Sequence, residues 1–161
     1  MKKTLPEEYG NVIVFTTLTG LRGSEALNSI RLIKTDLQNY EKEGILEHFR
    51  YPETFIRPTK KAFISIVWPG LVEIAKSCQD INYEGFSTYL KRRKYPTNLK
   101  YCRKIFGTYL RQNGIDTEII DLLCGRVPNT IFGRHYYRPD FKQELERVKQ
   151  CLGKLHNSVK E

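Results

Sequence analysis

Apolar residues recur at helical spacing over most of the chain, and one stretch near the middle departs from it. Val12, Ile13, Val14, Phe15 and Leu18 lie in a mixed apolar and threonine run, so residues 8–18 read as a buried helix stopped at Gly20. After the corner "GLRG", Ser24 is placed to cap a second, short helix that buries Leu27 and Ile30, and polar sequence follows through Gly44. "EHFRYPETFIRP" and "AFISIVW" then read as two strands joined by the basic connection "TKK". Pro52 and Pro58 keep the first strand irregular or at a sheet edge. "GLVEIAKSCQDI" and part of "YEGFSTYLKRR" have helical patterning.

The second half is more regular. Leu99, Cys102, Phe106, Tyr109 and Leu110 form one stripe of a helix over 99–112, which Asn113-Gly114 stops. Asp116 or Thr117 caps a further helix that carries Ile119, Ile120 and Leu123 and ends at Gly125. From Asp140 onward, Phe141, Leu145, Val148, Leu152 and Leu155 alternate spacings of four and three. The pattern predicts an amphipathic helix with an exposed stripe suited to a partner. The fold class expected from these elements is α+β, mainly α-helical, with one small antiparallel sheet.

Composition changes the picture in one respect. A chain of 161 residues with 40% hydrophobic and 28% charged residues suits a single globular domain. Its 27 Lys and Arg against 18 Asp and Glu leave a net charge of +9, which favours a polyanionic partner. No window is apolar enough for a membrane span, and "MKKTLPEEYG" lacks the apolar core of a signal peptide, so a cytoplasmic location is expected. Cys78, Cys102, Cys124 and Cys151 are scattered without Cys-x-x-Cys or histidine partners, which argues for reduced, mostly buried thiols rather than zinc ligands.

The cations have an order along the chain. Arg22 stands at a glycine-flanked corner before a helix start, where its guanidinium and the free helix-terminal N–H groups suit a phosphate; Glu25, three residues later, is placed to orient it. Lys100 and Arg103 share a face at the start of a helix, the end where the macrodipole disfavours positive charge. Arg126 follows the helix-ending Gly125, and "GRHYYRP" places Tyr136 and Tyr137 among further cations. Each feature alone reads as solvated surface charge.

Together, "TGLRGSEAL", "RPTKK", "KYCR", "CGR" and "HYY" resemble the catalytic domain of the tyrosine recombinase (phage-type integrase) family, over essentially the whole chain. The usual first histidine of that family is Lys100 here, and the usual second one is Arg126. Both departures, with the "GR-x-P … HY" ending, are similar to integrases of archaeal viruses and plasmids. The resemblance implies that residues 1–161 are a single catalytic domain, with the family's N-terminal DNA-clamping domain absent from this chain. It implies a site-specific recombinase acting on double-stranded DNA in the host cell.

The implied reaction needs neither metal nor ATP. Tyr136 attacks a phosphodiester to give a 3′-phosphotyrosine, while Arg22 and Arg103 hold the non-bridging oxygens. Lys60 protonates the departing 5′-oxygen, with Lys61 and Arg57 as the alternative hairpin cations and Tyr137 as the alternative nucleophile. Lys100 and Arg126 add hydrogen bonds, and the base is Lys100, water or the phosphate itself. Self-association on DNA, through the helix over 140–156, is the further expectation. Two other readings stand beside this one: a catalytically inactive DNA-binding remnant of an integrase, and a type IB topoisomerase-like relaxing enzyme.

Overall fold

The computed structural model describes residues 5–96, 98–127 and 140–160. Its centre is helix α1 (Glu7–Thr19), which packs on the helices over Pro69–Ser77 and Leu99–Gln112. A helix rich in threonine can be buried because each hydroxyl finds a carbonyl one turn back. Thr16, Thr17 and Thr19 donate to Val12, Ile13 and Phe15 at 2.6, 2.9 and 2.8 Å. Gly20 then ends α1 in the left-handed region, at φ 67°. It also lies flat on the Phe106 ring, where an added Cβ would come within 2.4 Å.

Helix α2 (Gly23–Tyr40) corrects the expectation of a short second helix followed by polar coil. Beyond Leu27, the stripe continues through Ile30, Ile33, Leu37 and Tyr40, the last fully buried, and this apolar face carries the helix through the polar sequence. A break at Asp36 (φ −148°, ψ 37°) bends it; there Asp36 accepts hydrogen bonds from Tyr51 and Asn39, both at 2.7 Å. Ser24 is inside the first turn rather than at the cap. The cap is Arg22, whose backbone N–H donates to Glu25 Oε2 at 3.0 Å.

The sheet is antiparallel, with order β1 (Glu41–Lys42), β2 (Ile45–Glu47), β3 (Ile64–Ile66). The long first strand expected over "EHFRYPETFIRP" is replaced after Glu47 by a 3₁₀ turn (His48–Arg50) and a single helical turn, α3 (Pro52–Phe55). Pro52 is the reason: it lacks a ladder N–H and its fixed φ starts a helical turn. Pairing resumes only at the Ile56–Lys61 bridge, closed by the Arg57 N–H to Lys60 carbonyl bond at 3.0 Å. The basic connection is therefore a hairpin tip, as the sequence suggests, but on a much shorter stem.

Helices α4 (Pro69–Ser77) and α5 (Tyr83–Arg92) follow, then α6 (Leu99–Gln112) with the expected bounds and Asn98 accepting the Lys100 N–H at 2.9 Å. Helix α7 (Thr117–Leu123) buries Ile119, Ile120 and Leu123 as its pattern predicts. Cys78, Cys102 and Cys124 are buried thiols. The stripe of α8 (Phe141–Lys160) is exposed only at its start, at Phe141, and half-buried at Leu145. Val148, Leu152 and Leu155 are buried, and α8 packs on α1 and α6, so the greater part of this face is covered within the chain. Among the described residues, no helix is long and apolar enough to cross a membrane.

Behind the hairpin sits a buried polar network that the sequence pattern does not announce. His48 is fully buried, with Nδ1 against the Tyr40 hydroxyl and Nε2 2.8 Å from Ser65 Oγ; Tyr40 in turn donates to Ser29 at 2.8 Å. Donation from Ser65 to His48, His48 to Tyr40 and Tyr40 to Ser29 satisfies every link with a neutral imidazole. Burial holds the His48 pKa down, to about 3.

Candidate active site

The corner between α1 and α2 sets Arg22 in place. Gly23 packs so closely against Tyr83 and Leu99 that a Cβ would lie 2.6 and 2.9 Å from them, which presses the corner onto the first turn of α6. Glu25 is buried beneath it and accepts from Arg22 Nη1 at 2.9 Å and Arg57 Nη2 at 3.4 Å. One carboxylate thus orients two guanidiniums from elements far apart in sequence.

The hairpin is tied to the same point by its backbone. The Lys61 carbonyl accepts from Arg22 Nη1 at 3.1 Å, and Gly125 lies directly against that carbonyl. A Cβ on Gly125 would stand 1.7 Å from the Lys61 oxygen, and its φ of +66° is left-handed, so glycine is required here on two counts. This close approach explains the glycine of "CGR": it joins the end of α7 to the hairpin and directs the chain into Arg126.

Arg22, Arg57, Lys60, Lys100 and Arg103 line a single recess of about 410 Å³. Lys60 and Arg57, paired across the hairpin tip, both reach it; Lys61 is absent from its lining and contributes its carbonyl instead. Arg103 is anchored from below by donation to the Cys124 carbonyl. Burial pulls the Arg103 pKa below its usual value, and Arg22 and Arg126 push it the same way, against Cys124 and Glu25. Burial likewise pushes the Cys124 thiol up, so it stays a neutral neighbour of these arginines.

Arg126 stands slightly apart. It is 63% exposed, pairs with Asp121 at 3.5 Å, and lines an adjoining recess of about 450 Å³ between α6 and α7. Lys100 and Arg103 line both recesses, so six of the seven cations picked out by the sequence form one contiguous patch, Lys61 being the exception. Tyr136 and Tyr137 lie outside the described residues. Glu25 orients Arg22 as the sequence suggests, but its second partner Arg57, the Lys61 carbonyl and the Gly125 contact are not evident from the sequence. The acid three residues after Arg22 and the glycine before Arg126 were the available signals.

Such a patch can bind an anion with several non-bridging oxygens. Its guanidiniums offer paired donors, its lysines offer mobile protons, and buried Glu25 fixes geometry without neutralising the surplus. Among the described residues, no group of His, Cys, Asp and Glu is arranged to hold a metal ion. No curated protein and no solved structure matches the chain. The sequence does match the archaeal phage integrases, over residues 1–149, and the chain belongs to that family.

Proposed function

We propose that this integrase cleaves and rejoins DNA through a covalent 3′-phosphotyrosine formed by Tyr136. The Tyr136 hydroxyl gives up its proton, to Lys100, water or a phosphate oxygen, and its oxygen bonds to phosphorus while the bond to the 5′-oxygen breaks. The electron pair leaves with that oxygen, which takes a proton from the Lys60 ammonium. The 5′-hydroxyl of a second DNA end then attacks the phosphotyrosine, giving its proton back to Lys60, and the tyrosine oxygen leaves and is reprotonated. The number of phosphodiester bonds is conserved, so no external energy source is consumed.

Arg22 and Arg103 hold the non-bridging oxygens and stabilise the extra charge of the pentacoordinate transition state, and Lys100 adds a further donor. Arg126, at the edge of the patch, meets the same phosphate from the α7 side. The single observation that carries this reading is the convergence of Arg22, Lys60, Lys100 and Arg103 on one recess above a buried carboxylate. Lys60 is preferred to Arg57 as the acid because an arginine is too weak a proton donor, and to Lys61 because Lys61 does not line the recess.

Covalent trapping on a nicked suicide duplex tests the assignment. The parent protein and Tyr137→Phe are expected to give a protein–DNA adduct, and Tyr136→Phe none. An adduct that survives Tyr136→Phe and is lost in Tyr137→Phe reassigns the nucleophile, and one that survives both overturns the reading.

A further inference from the structure

The recess around Arg22 does not stand alone. On one side it shares Lys100 and Arg103 with the recess between α6 and α7, to which Lys104 and Arg111 also belong. On the other side it shares Tyr83 and Leu99 with a smaller recess of about 270 Å³ between α5 and the start of α6, which Lys91 lines. Lys91 opens a run of four consecutive exposed cations, Lys91 to Lys94, and no ion pair involves any of them among the described residues.

Two of these outlying cations, Arg93 and Arg111, have side-chain partners, and Lys94 stands on an unusual backbone. Lys94 sits in the left-handed region at φ 54°, a conformation that glycine would adopt at lower cost. The Arg93 guanidinium lies 5.7 Å over the Tyr89 ring, and Arg111 donates to Thr117. The carboxylates along the same path, Glu25 and Asp121, are already engaged by Arg22, Arg57 and Arg126. Charge is segregated over the molecule: a different recess, beside Trp68, is lined by Glu41, Glu43 and Glu73 with Lys149.

We propose that the three joined recesses form a track for the DNA sugar-phosphate backbone, extending past the reacting phosphate on both sides. Lys104 and Arg111 hold it on the α7 side, and the Lys91–Lys94 run holds it on the α5 side. From Lys100 to Arg111 the helix advances about 16 Å. One strand of duplex presents on the order of five phosphates over that length. The inference rests on the DNA-cleavage reading for its central phosphate, and the contacts it adds are sequence-independent ones that position the duplex.

Anisotropy titration of a fluorescent duplex oligonucleotide over a range of salt concentrations tests the track. Two double variants remove its ends, Lys104→Gln with Arg111→Gln and Lys91→Gln with Arg92→Gln. A control, Lys142→Gln with Lys149→Gln, removes the same charge from exposed positions of α8. Each track variant should weaken binding and flatten the slope of log affinity against log salt by about two, with the control unchanged. Thermal midpoints verify that all three remain folded, and any variant that unfolds is replaced by its two single substitutions. An equal flattening in the control, or an unchanged slope in the track variants, overturns the proposal. The adduct assay separates the two readings. If the adduct forms and the slopes do not differ, the track alone falls. If no adduct forms and the slopes differ as expected, the cleavage chemistry falls and the track stands.

Discussion

The Tyr40–His48 network and the cationic recess share two pieces of chain, α2 with its cap and the segment from Ile45 to Ile66, to which the recess adds the start of α6, yet their chemistry is opposite. In the first, Ser29, Tyr40, His48 and Ser65 are buried and each meets a neutral partner within the protein. In the second, Arg22, Arg57, Lys60, Lys100 and Arg103 face a solvent-open recess with one carboxylate, Glu25, among them. A polar group that completes its bonds internally contributes stability and fixes one packing. A cluster with charge left over is held at some cost in repulsion, and an anionic ligand relieves it. The two clusters should therefore respond to substitution in opposite ways: the first in folding, the second in chemistry.

The largest effect on folding is expected where that division breaks down. Gly125 touches the hairpin backbone that both clusters depend on, and an alanine there meets the Lys61 carbonyl oxygen, a rigid backbone atom, at 1.7 Å with φ at +66°. Gly125→Ala should lose about 3 kcal/mol or more of unfolding free energy. It should also lose adduct formation in whatever protein remains folded, because Arg126 and the hairpin move together. Denaturant unfolding and the trapping assay read the two effects. A variant of near-native stability would show that the α7–hairpin contact is not tight.

Within the buried network the effects should separate. His48→Ala opens a cavity and leaves the Ser65 hydroxyl without its acceptor and the Tyr40 oxygen without its donor, at a cost of about 2–4 kcal/mol, while DNA affinity per folded molecule stays the same. The same residue sets a pH dependence. Its folded pKa, about 3, lies below the unfolded value of 6.5. The unfolded chain therefore takes up a proton first as pH falls. The stabilisation is complete above 6.5 and is lost as pH falls from there toward 3, with a slope of up to about 1.4 kcal/mol per pH unit. By NMR the His48 imidazole should not titrate between about pH 5 and 8. A midpoint near 6.5 would mean that the ring is hydrated and the network open.

Much of the cationic cluster was legible in the sequence, and the buried network was not. Arg22, Lys100 with Arg103, and Arg126 each stand next to a helix end with glycine or capping signals, and those signals are local. Helix α6 was bounded correctly because its stripe is uninterrupted from Leu99 to Leu110. By contrast, His48 and Ser65 are brought together across a sheet, and a lone histidine in "EHFRYP" carries no mark of its partners. The strand expected there failed for a related reason: Pro52 favours a helical turn over a ladder, and the alternating pattern around it does not reveal which preference wins. The α8 stripe was read accurately as amphipathic, but periodicity cannot say whether the surface it covers belongs to the same chain. Here Val148, Leu152 and Leu155 are buried against α1 and α6.

The smallest expected change in stability sharpens the comparison most, because its sign is opposite to the others. Lys100 is exposed, stands in the first turn of α6 and lies three residues before Arg103 on the same side. It meets unfavourable charge twice, from the helix dipole and from its neighbour. Lys100→Gln keeps the backbone N–H bond to Asn98 and much of the side chain's length. Unfolding free energy should rise by about 0.2–0.5 kcal/mol, the scale of one like-charge pair on a helix surface. The rate of adduct formation should fall by about 10²-fold, the scale of one donor lost from a transition-state oxyanion site. A loss of stability together with unchanged adduct formation would make Lys100 a structural cation, and the cluster would lose its claim to be shaped for a phosphate rather than for the fold.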